Sequence, residues 1–317
     1  MTGGLTAMGE LDVAWFERTF EQVKNWGRWG AGDERGALNL LTPERTAAAA
    51  ATVRRGRAVS CAFDLERDPG PDNPYPAHHY MIGAGDAGRH SILPGFEQST
   101  DYFGVACHGM NVTHLDALCH VFVNGLMYNG VSAEQVVSTG ALRNSVLSTS
   151  DGISGRGVLL DIPLVRGVDW LAASDRVTPE DLEAAERALD VRVEPGDILL
   201  VSTGRARRRR SEGGAFIAEG LAGLDGTCVP WLRERDIAVL GGDGISDPLG
   251  GPTVTPWPVP IHQCVIAAMG VHLVDNLDLA VLADACSDEA RWSFLLTIAP
   301  LRIPGATGCA VNPIAIF

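Results

Sequence analysis

The segment His114-Leu115-Asp116-Ala117-Leu118-Cys119-His120 sets two imidazoles and a carboxylate within seven residues, in a chain that holds eight histidines in all. Imidazole nitrogen and carboxylate oxygen are the donors that Zn²⁺, Mn²⁺ and Fe²⁺ accept. Val112 to Asp116 alternates as a strand does, which predicts Val112, His114 and Asp116 on one face. From Ala117 the residues suit the first turns of a helix, where Asp116 and His120 lie four apart and share a face. A strand running into a helix would gather all three side chains at one point. The competing reading is a pair of core histidines beside a buried aspartate, and a buried carboxylate without a cation or donors is costly.

Other segments offer further groups. Pro260-Ile261-His262 begins a short helical pattern that Gly270 closes, ahead of Val271-His272-Leu273-Val274-Asp275-Asn276. As a strand, that last stretch would set His272 and Asp275 on opposite faces, so both cannot easily serve one site. Gly241 to Pro248 follows an apolar run and places Asp243 and Asp247 in a glycine-rich loop, and loops at strand ends commonly carry catalytic groups. Arg205 and Arg207, Arg208, Arg209 and Arg210 form a basic run that reads as a solvated loop, with contact to an anionic substrate or a partner subunit as the alternative. Gly83-Ala84-Gly85-Asp86-Ala87-Gly88 matches the dinucleotide fingerprint by letter. Its context is wrong, because His78-His79-Tyr80 makes a poor buried strand and Pro94 would end any following helix; it reads as a flexible loop. Neither a GxSxG elbow nor an HExxH motif occurs.

The elements that must position these groups are partly legible. Thr42 caps a helix with Pro43 at its first position, running through the alanines to about Arg55 and stopped by Gly56. Thr178-Pro179-Glu180-Asp181 caps another, with Leu182, Ala185 and Leu189 on one face. Continuous apolar runs predict strands buried on both faces over residues 157–162, 197–202, 237–242 and 292–298. Residues 64–100, rich in Pro, Gly, Asp and His, read as a long loop of the kind that usually serves function. Helices alternating with buried strands indicate an α/β fold, and no boundary divides residues 1–317, so a single domain is expected.

Composition excludes several classes. Of 317 residues, 46% are apolar and 20% charged, which suits a folded core and not a disordered chain. A net charge of −14 argues against nucleic acid or an anionic membrane as partner, and any anionic substrate would need a local cation. Seven cysteines without CxxC spacing point to free thiols in a reducing cytosol. Met1-Thr2-Gly3-Gly4 leads into no basic start or apolar core, so no signal peptide is read. The best apolar run, residues 264–274, is broken by Gly270 and His272 and is too short for a bilayer. A soluble cytoplasmic protein is expected.

The order of the short motifs resembles the metal-dependent cyclase-like hydrolase family, which includes bacterial kynurenine formamidase and isatin hydrolase. The resemblance starts at Trp29-Gly30-Ala31-Gly32-Asp33-Glu34-Arg35-Gly36-Ala37-Leu38-Asn39 and Leu41-Thr42-Pro43-Glu44. It continues through Thr113 to His120, Tyr128-Asn129-Gly130, Gly157 to Asp161, Pro195 to Leu199 and Thr203-Gly204, and ends with Asp243 to Pro248, His262, and Gly270 to Leu279. It implies a single α/β domain with a central β-barrel-like mixed sheet and flanking helices, assembled as a homodimer or higher oligomer. It implies that His114 and Asp116 ligate a divalent metal, Mn²⁺ or Zn²⁺. His120 would be a ligand or the general base, and His262 with Asp275 would lie across the same pocket. The formamidase branch carries a histidine four residues before the one matching His114, where this chain has Met110; His108 lies two residues too early unless the strand bulges. Asp275 also stands where that branch has a longer glutamate. Both departures favour one metal ion over a pair.

The expected chemistry is hydrolysis of a small non-peptide amide, a lactam or formamide, by a hydroxide generated on the metal. His120 or His262 would move the proton, and Asp243 or Asp275 would accept the second ring N–H of a metal-bound histidine. Trp29, Phe63, Tyr80 and Trp257 could line a flat pocket for a ring-bearing substrate, with ordinary core packing as the alternative. A cyclase or dehydratase, a lactonase, and a metal-free binding protein on the same fold remain as other readings.

Overall fold

The computed structural model describes residues 11–86, 93–250 and 253–317. The readings of the first residues and of the end of the 83–88 fingerprint lie outside the described residues.

Eleven strands carry the argument. They are β1 Ala58–Ser60, β2 His78–Gly83, β3 Thr100–Gly104, β4 His114–Asp116, β5 Ile153–Asp161, β6 Ile198–Ser202, β7 Val239–Gly242, β8 His272–Asp275, β9 Ser293–Ile298, β10 Gly308–Ala310 and β11 Ile314–Ile316. Nine of them form one mixed sheet in the order β1-β11-β9-β5-β6-β7-β8-β4-β10, curled into a half-barrel. Its centre, β5-β6-β7-β8, is parallel. The flanking pairs are antiparallel. The helices are α1 Val13–Val23, α2 Pro43–Ala50, α3 Ile162–Arg166, α4 Pro179–Ala188, α5 Arg205–Glu212, α6 Cys228–Arg235 and α7 Leu279–Glu289.

The continuous apolar runs become strands β5, β6, β7 and β9; β6, β7 and residues 157–161 of β5 are buried on both faces as expected, whereas β9 buries only every second residue, Phe294, Leu296 and Ile298. Neighbouring residues feed opposite faces: Val158 and Leu160 join one apolar cluster with Phe16, Phe20 and Leu273, while Leu159 joins the other with Leu115, Val274 and Leu282. The strand period of two therefore fills a core on each side of the sheet.

Capping is as read. Thr42 accepts from the Arg45 N–H, and Thr178 and Asp181 form a capping box. Helix α2 nevertheless ends at Ala50 rather than near Arg55, because residues 51–52 close it as a turn. The supposed long loop contains β2, which pairs with β3 as a hairpin separate from the main sheet. The basic run is likewise no loop. It is helix α5, with Arg205 and Arg208 buried. Each of its guanidinium groups meets a carboxylate or carbonyl, which offsets the repulsion among them.

No helix among the described residues is long and apolar enough to cross a membrane. All seven cysteines are free.

Candidate metal centre

Strand β4 presents His114 and Asp116 on one face and sends Leu115 into the opposite core cluster. Asp116 is fixed by ladders on both sides, opposite Leu273 of β8 and Gly308 of β10. The expected helix after Asp116 is absent. Ala117 to His120 forms a turn, with the Ala117 N–H donating to Thr307 and the His120 N–H to Ala117. That turn still delivers His120, whose Nε2 lies 3.9 Å from Asp116 Oδ1.

Four imidazoles surround the Asp116 carboxylate. Besides His120, His108 Nδ1 lies 2.8 Å and His114 Nε2 3.4 Å from Oδ1, and His262 Nε2 lies 3.6 Å from Oδ2. The rings of His108 and His120 stack at 3.9 Å, 4° from parallel. His108 is therefore within reach, which removes the ground on which Met110 argued for a single ion. Gly308 makes room for it, since a Cβ there would stand 2.5 Å from His108 Cε1.

Each ring is oriented from behind. His114 Nδ1–H donates to the Val112 carbonyl at 2.7 Å, leaving Nε2 toward Asp116. His262 opens a π-helical segment, His262–Ala268. Such segments are frequent at functional sites. Its Nδ1–H donates to Asp247 at 2.7 Å, and its Nε2 lies 3.3 Å from Asp275 Oδ2. Ser246 donates to the other Asp275 oxygen at 2.8 Å.

Charge sharing shifts these groups. Burial would raise the Asp116 carboxyl, but the charge on His114 and the contacts with His108 and His262 hold it well below the usual range. Burial lowers His108, and the close Asp116 carboxylate together with Cys107 outweighs that and takes it up to about 10. Desolvation dominates at His120 and lowers it to about 4. At His262 burial is outweighed by Asp116, Asp247 and Asp275, which together raise it.

Two overlapping trios have their donor atoms within 4.8 Å of one another: His108, Asp116 and His120, and His114, Asp116 and Asp275. Among the described residues neither Asp116 oxygen accepts a hydrogen bond of good geometry, although the carboxylate is 1% exposed.

Several expectations are corrected. Among the described residues Asp243 accepts no histidine N–H; it takes the backbone N–H groups of Thr203, Gly204 and Arg205, tying the end of β6 and the start of α5 to the end of β7. Asp247 holds His262 in its place. The glycine-rich loop flagged both aspartates, and nothing in their spacing chose between them. His272 faces away from Asp275, as alternation requires, and is fully buried with both ring nitrogens unpartnered among the described residues.

The aromatic set is dispersed. Trp257 is buried against Phe16 and Phe20 beneath α1. Tyr80 is exposed on the hairpin and stacks on Tyr102. Trp29 lies half-buried under the Arg28 guanidinium. Phe63 donates its N–H to Thr113 Oγ1 and borders a cavity that Thr113 and Ala310 also line, beside His114.

The Cyclase family model matches residues 39–247, and the chain belongs to that family. A crystal structure of a novel cyclase superposes with a TM-score of 0.84 at 31% identity, covering 93% of this chain and 99% of its own. Isatin hydrolase A from Labrenzia aggregata, bound to benzyl benzoate, gives 0.57 at 21% identity over 88% of this chain and 98% of its own. A predicted metal-dependent hydrolase from Bacillus stearothermophilus gives 0.51 at 17% identity over 83% and 98%. A search of curated proteins finds no match.

Proposed function

We propose that this chain is a metal-dependent hydrolase of small non-peptide amides, of the lactam or formamide kind. The observation that carries the reading is Asp116, a buried carboxylate with four imidazole nitrogens within 3.9 Å and no well-formed hydrogen bond to either oxygen among the described residues. A carboxylate so placed calls for a cation. The donor set suits Zn²⁺ or Mn²⁺. His108, Asp116 and His120 would hold one ion, and His114, Asp116 and Asp275 a second through the shared carboxylate. When bound, such an ion polarises a carbonyl and lowers the pKa of water at an open position to about 7.

The remaining tasks fall to the chain. Burial keeps the His120 ring neutral at pH 7, so its lone pair is available. His262 has Nδ1–H committed to Asp247, so Nε2, facing Asp116 and Asp275, is the atom that carries a proton to and from the reacting centre. Three carboxylates around that ring favour its protonated form, which suits donation to a leaving nitrogen. The fold shared with isatin hydrolase directs the choice of a ring-bearing amide.

The relation to a cyclase at 31% identity favours a second reading, cyclisation or dehydration, whose product contains no added water.

Elemental analysis of untagged protein purified without chelator, beside His114→Ala, tests the site. Turnover of lactams, formamides and lactones in ¹⁸O-water tests the reaction. The expected result is bound divalent metal, reduced in the variant by the ion that His114 would hold, with ¹⁸O in the product acid. Protein that neither retains nor regains a metal overturns the reading, and product without ¹⁸O moves it to the lyase.

A further inference from the structure

His108 precedes His114 by six residues, and an extended chain of that length spans roughly 20 Å. Its Nδ1 nevertheless lies 2.8 Å from Asp116 Oδ1. The path is shortened by two turns, in which the Gly109 N–H donates to Ala106 and the Val112 N–H to Gly109. Two side chains from elsewhere in the fold hold those turns. Asn276 Nδ2 donates to the carbonyls of Gly109 at 3.1 Å and Val112 at 3.3 Å. Arg205 Nη2 donates to the carbonyl between them, Met110, at 2.6 Å. The two clamps are themselves joined, Arg205 Nη1 to Asn276 Oδ1 at 2.8 Å, and the same Nη1 reaches the Asp243 carbonyl at 3.1 Å.

Both clamping groups are pinned. Asn276 is fully buried with φ +56°, a left-handed conformation that asparagine tolerates better than most residues. Its N–H donates to Gly244, and its carbonyl accepts from Thr113 Oγ1 at 2.5 Å. Arg205 is 3% exposed at the start of α5. A planar guanidinium can bond two acceptors at once in fixed directions, which an ammonium does less well. Three carbonyls of one short segment thus converge on two side chains that also adjoin the centre, because Asn276 follows Asp275 directly.

We infer that Arg205 and Asn276 are positioning residues that fold residues 106–112 so that His108 reaches Asp116. The inference rests on the cation reading above for the ligand it serves, while the clamp itself is a matter of geometry. The basic residue that reads from sequence as solvated, or as a receptor for an anionic substrate, is spent on shaping a donor trio. The chain thereby recovers a histidine that its spacing places out of range.

The test uses the full chain, stripped of metal and titrated with Zn²⁺ by calorimetry, with the histidine ring nitrogens followed by NMR. His108→Ala defines which binding event depends on that ring. Asn276→Asp keeps the volume and the acceptor for Arg205 but turns an oxygen toward Gly109 and Val112. It should lose affinity in the His108-dependent event by about 10- to 100-fold, the usual size of an outer-shell loss, while the His114-dependent event persists. Arg205→Met should do the same, and Arg205→Lys should fall between it and the native protein. In the metal-free protein the His108 ring signals should move in Asn276→Asp and Arg205→Met and stay in place in Arg210→Ala, a control from the same helix. Native Zn²⁺ binding with unmoved His108 signals in Asn276→Asp overturns the inference, and that variant decides if Arg205→Met does not fold. Should the native chain bind no Zn²⁺, the cation reading fails alone, and the ring signals still decide the clamp.

Discussion

Asp247 accepts the His262 Nδ1–H at 2.7 Å, and its carboxylate also takes the backbone N–H groups of Ile261 and His262. One side chain therefore fixes the ring, the tautomer and the start of the π-helical segment together. Asp247→Asn can still accept a backbone N–H but weakens the charge behind the ring. Activity should fall about 10- to 100-fold, the range found for such supporting groups, chiefly in kcat. Steady-state kinetics beside a thermal melt checks this; a variant with native kcat removes Asp247 from the proton-carrying arrangement.

Asp116 is shared by both donor trios, so its loss should be felt by both. A ligand that binds only the folded chain raises stability, by about 2.7 kcal/mol at one hundred times its Kd. Zn²⁺ or Mn²⁺ should raise the Tm of the native chain and leave that of Asp116→Asn unchanged. An equal rise in both would place the cation elsewhere.

His272 predicts an acid limb of stability. Burial lowers it to about 3 in the folded chain, against about 6.5 when unfolded. Above about pH 6.5 both states are neutral and the contribution is complete. As the pH falls from there toward 3, the unfolded chain takes up a proton that the folded chain refuses, at a cost of up to about 1.4 kcal/mol per pH unit. His272→Leu removes that slope along with two unpartnered nitrogens. Urea unfolding at pH 7, 5.5 and 4.5 should show the variant gaining on the native chain as acid is added; parallel pH profiles would refute the assignment.

Arg209 ties the segment that precedes the hairpin to α5. Its Nε meets Asp72 at 2.5 Å and its Nη2 both Glu66 oxygens at 3.0 Å. Asp72 is 2% exposed, so Arg209→Ala leaves a buried acceptor unpaired, at a cost of about 1–3 kcal/mol. Amide exchange should quicken over residues 64–73 with α4 unaffected. Unchanged exchange there would mean that other contacts hold the segment.

What the sequence could convey follows from range. The strands β5, β6, β7 and β9 and the caps at Thr42 and Thr178 are written in local periodicity and hydrogen bonding, and they were legible. So was the face shared by His114 and Asp116, because a strand alternates. The place of His108 was hidden, since it depends on Arg205 and Asn276, far away in sequence. The choice between Asp243 and Asp247 depends on which loop end meets the π-helical segment and which meets α5. The basic run was misread because its neutralising partners, Glu66, Asp72, Asp161 and Asp278 among them, come from three separate stretches of chain. The aromatic residues were grouped by kind, and packing separated them.

Strand β4 sits between β8 and β10, two strands encoded far later than itself. During synthesis the first donors leave the ribosome long before the strands that will flank them, and His262 and Asp275 follow only much later. No early fragment can trap a metal in this arrangement. An ion held by this arrangement would thus be taken up only once β8 and β10 are in place, so that closing the sheet and binding the metal would be a single event.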